Sequence, residues 1–111
     1  MILYGYFRSS AAFRIRIALN LKGLEFDTVL VNLSEGEHLS DEYRRVNPQG
    51  RVPALVDDGV TLVQSPAIME YLEESYPDPA LLPDGAKPRA RVRSIANIIS
   101  CDIHPLNNLA V

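Results

Sequence analysis

The pattern of apolar and polar residues in the first part of the chain predicts a strand, a helix and a second strand. Residues 2–7 form a short run rich in apolar and aromatic side chains, which predicts a buried strand. Residues 11–22 contain no helix breaker and are followed by Gly23, which predicts a helix. Residues 25–32 predict a second strand of mostly buried character. The helix places apolar residues four positions apart, at Phe13, Ile17 and Leu21.

A second group of elements follows a polar loop over residues 33–40. Residues 40–46 predict a short helix capped by Ser40. Asp58-Gly59 separates two apolar runs, residues 54–56 and 61–63, which predicts an antiparallel hairpin. Residues 66–76 predict an amphipathic helix. This order of elements predicts an α/β domain with a thioredoxin-like βαβαββα layout and a right-handed first crossover.

The last part of the chain differs in character. Residues 78–88 are rich in proline and predict an interdomain linker that packs Leu81 and Leu82 against another part of the protein. A new helix follows from residue 89, with a kink expected at Pro105. We expect the front part of a longer two-domain chain: a first domain over residues 1–82, then a linker and the first helix of a helical domain over residues 83–111. The apolar stripe of this helix is Val92, Ile95, Ile99, Ile103 and Leu106.

Composition narrows the classes of partner. The 111 residues are 47% apolar and 23% charged, typical of one globular domain or one domain with a piece of another. A net charge of −3, with no basic face or tail, gives no reason to expect nucleic acid or an anionic membrane as a partner. A single cysteine, Cys101, fits a reducing compartment, and no apolar run reaches the roughly 18 residues that span a bilayer. We therefore expect a soluble, cytoplasmic protein.

Val52-Pro53 opens the third strand. Proline cannot donate a ladder hydrogen bond, so it is tolerated at the first position of a strand. If the bond is cis, the N–H and C=O of Val52 point outward and can pair with an extended peptide. The alternative is a trans proline that simply starts the strand.

Gln64-Ser65-Pro66 joins the fourth strand to a helix. We expect Ser65 at the N-cap and Pro66 at the first helical position. The free N–H groups and the positive end of the helix dipole form a site for a carboxylate. The alternative is a plain cap without a ligand.

Several segments together carry a resemblance to a known family. They are Tyr6-Phe7-Arg8-Ser9-Ser10, residues 13–19, Asn47-Pro48 with Val52-Pro53, Gln64-Ser65 with residues 68–74, and residues 103–109. Together they resemble the zeta class of glutathione S-transferases over essentially the whole chain. The resemblance implies a glutathione transferase N-terminal domain, the start of an all-helical domain, glutathione as cofactor and a homodimer.

The resemblance also implies roles for individual residues. Val52 would pair with the cysteinyl backbone of glutathione, with Pro53 cis, and Gln64 and Ser65 would hold its γ-glutamyl carboxylate. Ser9 or Ser10 would stabilise the thiolate at the start of the first helix without attacking the substrate.

Further residues are carried over from the family pattern. His38, Arg14, His104 and Asn108 would contact glutathione, and Arg8 would clamp a carboxylate of a dicarboxylic substrate. The alternatives are a solvated loop histidine for His38, a helix-surface residue for His104 and an exposed helix charge for Arg14.

The chain departs from the family pattern at one position. Ala11 stands where the class commonly has cysteine, so no protein thiol is expected beside the site. We expect Cys101 to be a small packing residue.

The activity implied by the resemblance is glutathione-dependent cis-trans isomerisation of a maleyl keto acid, either maleylacetoacetate or maleylpyruvate, in aromatic catabolism. Two alternatives stay open: a general conjugating or dehalogenating transferase, and a non-catalytic module with the same fold.

Overall fold

The computed structural model describes residues 1–107. The strands are β1 (Ile2–Gly5), β2 (Asp27–Leu30), β3 (Ala54–Asp57) and β4 (Val60–Val63). The helices are α1 (Ser10–Leu21), α2 (Asp41–Val46), α3 (Ser65–Ser75) and α4 (Ala86–Asn97). Two short 3-10 turns, Leu33–Glu35 and Glu37–Leu39, precede α2, and α4 continues as a π-helix over Ile98–Ile103 and a 3-10 turn over His104–Asn107.

The four strands form one mixed sheet in the order β2-β1-β3-β4. Strands β1 and β2 are parallel and joined through α1, whereas β3 is antiparallel to both β1 and β4. Asp58 and Gly59 both have positive φ, 50° and 76°, as a type I′ hairpin turn requires. The thioredoxin-like layout predicted from the sequence is confirmed.

The core lies between the sheet and the helices α1 and α3. Leu3 of β1 pairs with Leu55 of β3, and both side chains are fully buried against the two helices. Full burial of a leucine contributes about 1.5–3 kcal/mol of transfer free energy. Burial of Leu3 and Leu55 therefore contributes strongly to the stability of the sheet. The helical residues of this cluster are Ile15, Ala18, Leu19, Ile68 and Leu72.

The predicted burial of the second strand is wrong. All four residues of β2 are exposed, because β2 is an edge strand that pairs only with β1 and contributes no residue to the core cluster. In α1 the four-residue spacing identifies the helix, but the side chains at that spacing are 53%, 43% and 58% exposed. These exposed residues are Phe13, Ile17 and Leu21, and the helix instead buries the stripe of Ala12, Ile15, Ala18 and Leu19.

A buried lysine joins the ends of α1 and α3. Lys22 follows the last residue of α1, and its Nζ lies 2.8 Å from Oε1 of Glu73 in α3. The same ammonium donates to the carbonyl oxygens of Tyr76 and Pro79, at 2.7 and 2.8 Å. All three donors of the ammonium group therefore have acceptors, as burial of a charge demands.

The chain divides into two compact units, residues 1–79 and 80–111. In the second unit none of the described residues 80–107 is buried. Its helix begins at Ala86, three residues earlier than predicted, and leaves α geometry at Ile98, before Pro105. Cys101 is exposed, so the expectation that it packs inside is wrong. The domain boundary near residue 82 stays a prediction.

Over residues 1–107, no helix has both the length and the apolar character needed to cross a membrane. Within the same range, no cluster of three or more histidine, cysteine or acidic side chains is arranged to hold a metal ion.

Candidate functional site

Three segments meet at one edge of the sheet. Tyr4 near the end of β1 pairs with Ala54, the first residue of β3, and Ala54 pairs with Val63, the last residue of β4. The segments that follow β1, precede β3 and follow β4 must therefore lie side by side. They carry Ser9 and Ser10, Val52 and Pro53, and Gln64 and Ser65, so the fold brings these six predicted site residues to the same edge.

The two serines before α1 have different environments. Ser9 is buried at the N-cap, where its Oγ accepts a hydrogen bond from the Ala12 N–H at 3.1 Å. Ser10 is the first residue of α1 and is exposed. The Ser9 hydroxyl uses a lone pair for the cap and keeps its hydrogen for another acceptor. Both hydroxyls lie at the positive end of the α1 dipole.

The Val52–Pro53 peptide bond is cis, so the trans alternative is wrong. Strand β3 begins only at Ala54. Within residues 1–107, neither the N–H nor the C=O of Val52 hydrogen-bonds to another protein group. An unpaired N–H and C=O on one residue can pair with an extended peptide in antiparallel fashion.

The loop before Val52 is held by side chains that the sequence analysis did not assign to the site. Asn47 is 2% exposed; its Nδ2 donates to the Arg51 carbonyl oxygen at 2.8 Å, and its Oδ1 accepts from the Gln49 N–H at 3.1 Å. The Tyr43 hydroxyl donates to the same Arg51 oxygen at 2.6 Å. Burial raises the pKa of Tyr43 to about 12, so the hydroxyl remains a donor at neutral pH. The Asn-Pro-x-Gly sequence signals a side-chain-bonded turn here, but nothing in it indicates Tyr43.

The start of α3 is shifted by one residue from the prediction. Gln64 occupies the cap position without a side-chain cap, Ser65 is the first helical residue, and Pro66 is the second. The shift arises because β4 ends at Val63 and leaves a single residue to turn the chain into the helix. Gln64 makes that turn with φ 71° and ψ 114°, a strained conformation for a residue with a Cβ. Such strain is concentrated at functional sites.

The Gln64 side chain extends over the loop. Its Nε2 donates to Oε1 of Gln49 at 2.7 Å, which joins the segment after β4 to the segment before β3. Gln49 is a second loop residue that the sequence analysis missed. Because its contact depends on two chain segments 15 residues apart, no local pattern reveals it.

Ser65 is bound from α1. Arg14 Nη1 donates to Ser65 Oγ at 3.0 Å, and the Ser65 side chain is almost inaccessible, with the residue 5% exposed. Partial burial lowers the pKa of Arg14, and arginine nevertheless stays charged in proteins. The interpretation of Arg14 as an exposed helix charge is therefore wrong. The helix N-terminus, the Ser65 hydroxyl and a guanidinium together form a site suited to a carboxylate.

The other predicted residues are less closely tied to this edge. Arg8 is exposed, with its guanidinium carbon 5.4 Å from the centroid of the Phe7 ring. His38 lies in the 3-10 turn before α2 and is half-buried, and its Nδ1 is shielded from solvent without a hydrogen-bond partner among the described residues. His104 begins the last 3-10 turn of the second unit. Asn108 lies outside the described residues.

Comparisons with known proteins agree with the geometry. Residues 1–74 match the family described as the glutathione S-transferase N-terminal domain. A maleylacetoacetate isomerase of Pseudomonas aeruginosa is 56% identical over 114 aligned positions, which cover 100% of this chain and 54% of that protein.

Solved structures give the same result. One is the holo structure of a maleylpyruvate isomerase, described as a bacterial glutathione S-transferase of the zeta class: it is 53% identical, with a TM-score of 0.96, over 98% of this chain and 51% of that one. Another is a maleylacetoacetate isomerase of Methylobacterium extorquens AM1 with bound malonate and GSH, which is 48% identical, with a TM-score of 0.95, over 98% of this chain and 51% of that one. The chain thus spans about half the length of the relatives it matches.

Proposed function

Because the chain belongs to the glutathione S-transferase family, we propose that its first unit binds glutathione at the sheet edge built by Ser9, Val52 and Ser65. One observation carries the proposal: the Arg14–Ser65 hydrogen bond at the α3 N-terminus and the unpaired backbone of Val52 lie at the same edge as the α1 N-terminus. Glutathione presents a carboxylate, a peptide backbone and a thiol in that order. The residues present therefore fit this cofactor.

Each part of the cofactor has a proposed partner. Ser65, the N–H groups of α3 and the charge of Arg14 would hold the γ-glutamyl carboxylate, with Gln64 beside them. Val52 would pair with the cysteinyl backbone through its N–H and C=O. We propose that His38 contacts the rest of the glutathione peptide. Its carbonyl oxygen lies close to Gly50, in the loop before Val52. His104 and Asn108 are proposed from the family resemblance.

The serines would control the thiol. A hydroxyl donor and the positive end of α1 both favour a thiolate over a thiol, so Ser9 or Ser10 would lower the pKa of the bound sulfur. Neither serine attacks the substrate.

We propose glutathione-dependent cis-trans isomerisation of a maleyl keto acid as the activity. Glutathione, when bound, supplies a nucleophilic sulfur that adds to the cis double bond and leaves after rotation about the resulting single bond. Arg8 would bind a carboxylate of the substrate and hold it through that rotation. The names of the relatives support this activity over general transferase chemistry, and malonate in one of them is itself a dicarboxylate. We also propose that the protein forms a homodimer and is located in the cytoplasm.

The test combines binding and turnover. Calorimetry with this chain measures glutathione binding, and turnover of maleylacetoacetate and maleylpyruvate is followed with and without glutathione in the protein that carries this chain. We expect turnover to require glutathione. We also expect turnover to collapse in one of the two serine variants, Ser9→Ala or Ser10→Ala, and that variant identifies the residue that stabilises the thiolate. Glutathione binding without turnover of either acid would favour the general transferase, and absence of binding would favour the non-catalytic module.

A further inference from the structure

We propose that Tyr43 and Asn47 are positioning residues of the glutathione site, which aim the Val52 N–H by fixing the peptide group between Arg51 and Val52. The inference rests on the proposed binding of glutathione at Val52. It adds two side chains that need not touch the cofactor.

Two donors saturate one carbonyl oxygen. The Tyr43 hydroxyl lies 2.6 Å from the Arg51 oxygen, and Asn47 Nδ2 lies 2.8 Å from it. A carbonyl oxygen has two lone pairs, so both are used. With both directions fixed, the oxygen cannot swing toward solvent without losing a hydrogen bond.

The carbonyl fixes the N–H because the two belong to the same rigid unit. The Arg51 C=O and the Val52 N–H share one planar peptide group, and the bond that joins them is trans. In a trans peptide the C=O and N–H point in opposite directions. The Val52 N–H is therefore held pointing away from Tyr43 and Asn47, where it has no protein acceptor.

The two donors are themselves fixed. Tyr43 is buried in α2, and its ring centroid lies 5.9 Å from that of Tyr4 in β1. The Asn47 backbone N–H donates to the Tyr43 carbonyl, its backbone C=O accepts from the Gly50 N–H, and its Oδ1 accepts from the Gln49 N–H. The amide nitrogen of Asn47 is thus directed at Arg51. An N–H held in place before the ligand arrives loses less entropy on binding.

The test compares two tyrosine variants that each remove a hydroxyl group which donates a hydrogen bond. Tyr43→Phe removes the bond to Arg51, and Tyr71→Phe removes a bond of 2.7 Å to Asp57, away from the Val52 edge. Calorimetry gives the glutathione dissociation constant of the whole chain. We expect it to rise about three- to tenfold in Tyr43→Phe, the range for one hydrogen bond. For Tyr71→Phe we expect less than about a twofold change, since the lost bond is not part of the site.

A second variant keeps the test valid if Tyr43→Phe does not fold. Asn47→Asp has nearly the same shape and retains an acceptor for the Gln49 N–H, but its carboxylate cannot donate to the Arg51 oxygen. We expect it to weaken glutathione binding at least as much as Tyr43→Phe. The NMR signal of the Val52 amide should shift in both variants without ligand, and a purely stabilising role for these side chains would not move it.

The outcomes separate the two proposals. If the unmodified chain does not bind glutathione, the proposed function fails and this inference fails with it. If the unmodified chain binds but Tyr43→Phe and Asn47→Asp bind equally well, the positioning role is overturned and the proposed function stands. Lower thermal stability with an unchanged dissociation constant and an unshifted Val52 amide likewise overturns it.

Discussion

At the scale of single residues, the hydrogen bond between Arg14 and Ser65 explains how one hydroxyl serves two groups. Ser65 Oγ accepts from the guanidinium at 3.0 Å and keeps its hydrogen for a ligand. A hydroxyl that accepts from a cation is polarised and donates more strongly.

We predict that Arg14→Gln weakens glutathione binding about tenfold or more, because hydrogen bonds involving charged groups contribute about 1.5–3 kcal/mol. Arg14→Lys, which keeps the charge, should lose less affinity. Calorimetry measures both variants against glutathione and against an analogue that lacks the γ-glutamyl carboxylate. Equal losses for the two ligands would contradict a role of Arg14 at that carboxylate.

Gly50 lies in a closely packed part of the loop before Val52. Its φ is 63°, and a Cβ at this position would lie 2.8 Å from the His38 carbonyl oxygen. Gly59 in the hairpin turn has a similar φ of 76°, but a Cβ there meets nothing within 4 Å. A comparison of alanine variants at Gly50 and Gly59 therefore separates the cost of a steric clash from the cost of a left-handed backbone.

We predict that Gly50→Ala destabilises the protein more than Gly59→Ala. Both variants lose about 1 kcal/mol to the left-handed backbone, and only Gly50→Ala must also displace a carbonyl oxygen. Urea unfolding gives the two free energies of unfolding. Equal values would show that the loop yields to the new methyl group without cost.

Sequence reasoning at this scale finds residues whose role follows from their neighbours in the chain. Ser9, Val52 and Ser65 stand beside a predicted helix start, strand start and helix start, so local rules reveal them. Tyr43 and Asn47 act on a carbonyl eight and four residues away through the path of the loop. Packing determines that path, so the conformational preferences of the individual loop residues do not reveal it.

At the scale of elements, the Lys22 ammonium joins α1 to α3. It has no exposed side-chain surface, and Glu73 has 9%. Removal of one partner from a buried pair leaves the other charge uncompensated.

We predict that Lys22→Met lowers the free energy of unfolding by about 3–5 kcal/mol, the range for a broken buried pair. Lys22→Met combined with Glu73→Leu should cost less than the sum of the two single variants, because no lone charge remains. Urea unfolding of the four proteins gives the coupling free energy. Simple additivity would mean that the ion pair contributes nothing beyond its separate contacts.

Asp57 connects β3 to α3 through two tyrosines. Its Oδ2 accepts from the hydroxyls of Tyr76 and Tyr71, each at 2.7 Å, and these bonds, that of Tyr76 foremost, lower the pKa of Asp57. A carboxyl whose pKa is lower in the folded state stabilises that state above its unfolded pKa of about 3.9. The stabilisation is lost as the pH falls through the folded pKa.

We predict that Tyr76→Phe loses more stability at pH 6 than at pH 2, because protonation of Asp57 on acidification removes the charge that the Tyr76 hydroxyl stabilises. Urea unfolding at the two pH values measures the difference, and an NMR titration of Asp57 should show its pKa closer to the ordinary value in the variant. A stability loss independent of pH would exclude this carboxylate as the cause.

Element types follow from the sequence more reliably than element faces. The pattern of residues 11–22 identifies α1 correctly, yet α1 buries Ile15 and Leu19 and exposes Phe13 and Leu21. Period alone does not reveal which of two apolar stripes meets the sheet. The exposure of β2 depends on strand order, which no single strand encodes.

At the scale of the whole molecule, the two units differ in how much they bury. Every buried residue among residues 1–107 lies before residue 80, and the last group bound by Lys22 is the Pro79 carbonyl. The first unit thus contains both the core and the sheet edge of the proposed site.

We predict that a chain ending at residue 82 folds into the same sheet and unfolds cooperatively. Its free energy of unfolding should lie within about 1 kcal/mol of the value for the whole chain, because none of the described residues 83–107 is in the buried class. Circular dichroism and urea unfolding measure this. A large loss of stability would show that residues 83–111 support the core.

The position of the core has a consequence for synthesis of the protein. All seven residues of the core cluster lie between Leu3 and Leu72, so a ribosome has added every one of them before it reaches α4. Domains generally fold as units, and those nearer the N-terminus fold first during translation. The nascent chain can therefore complete the sheet edge, with Ser9, Val52 and Ser65 in place, while the rest of the protein is still being made.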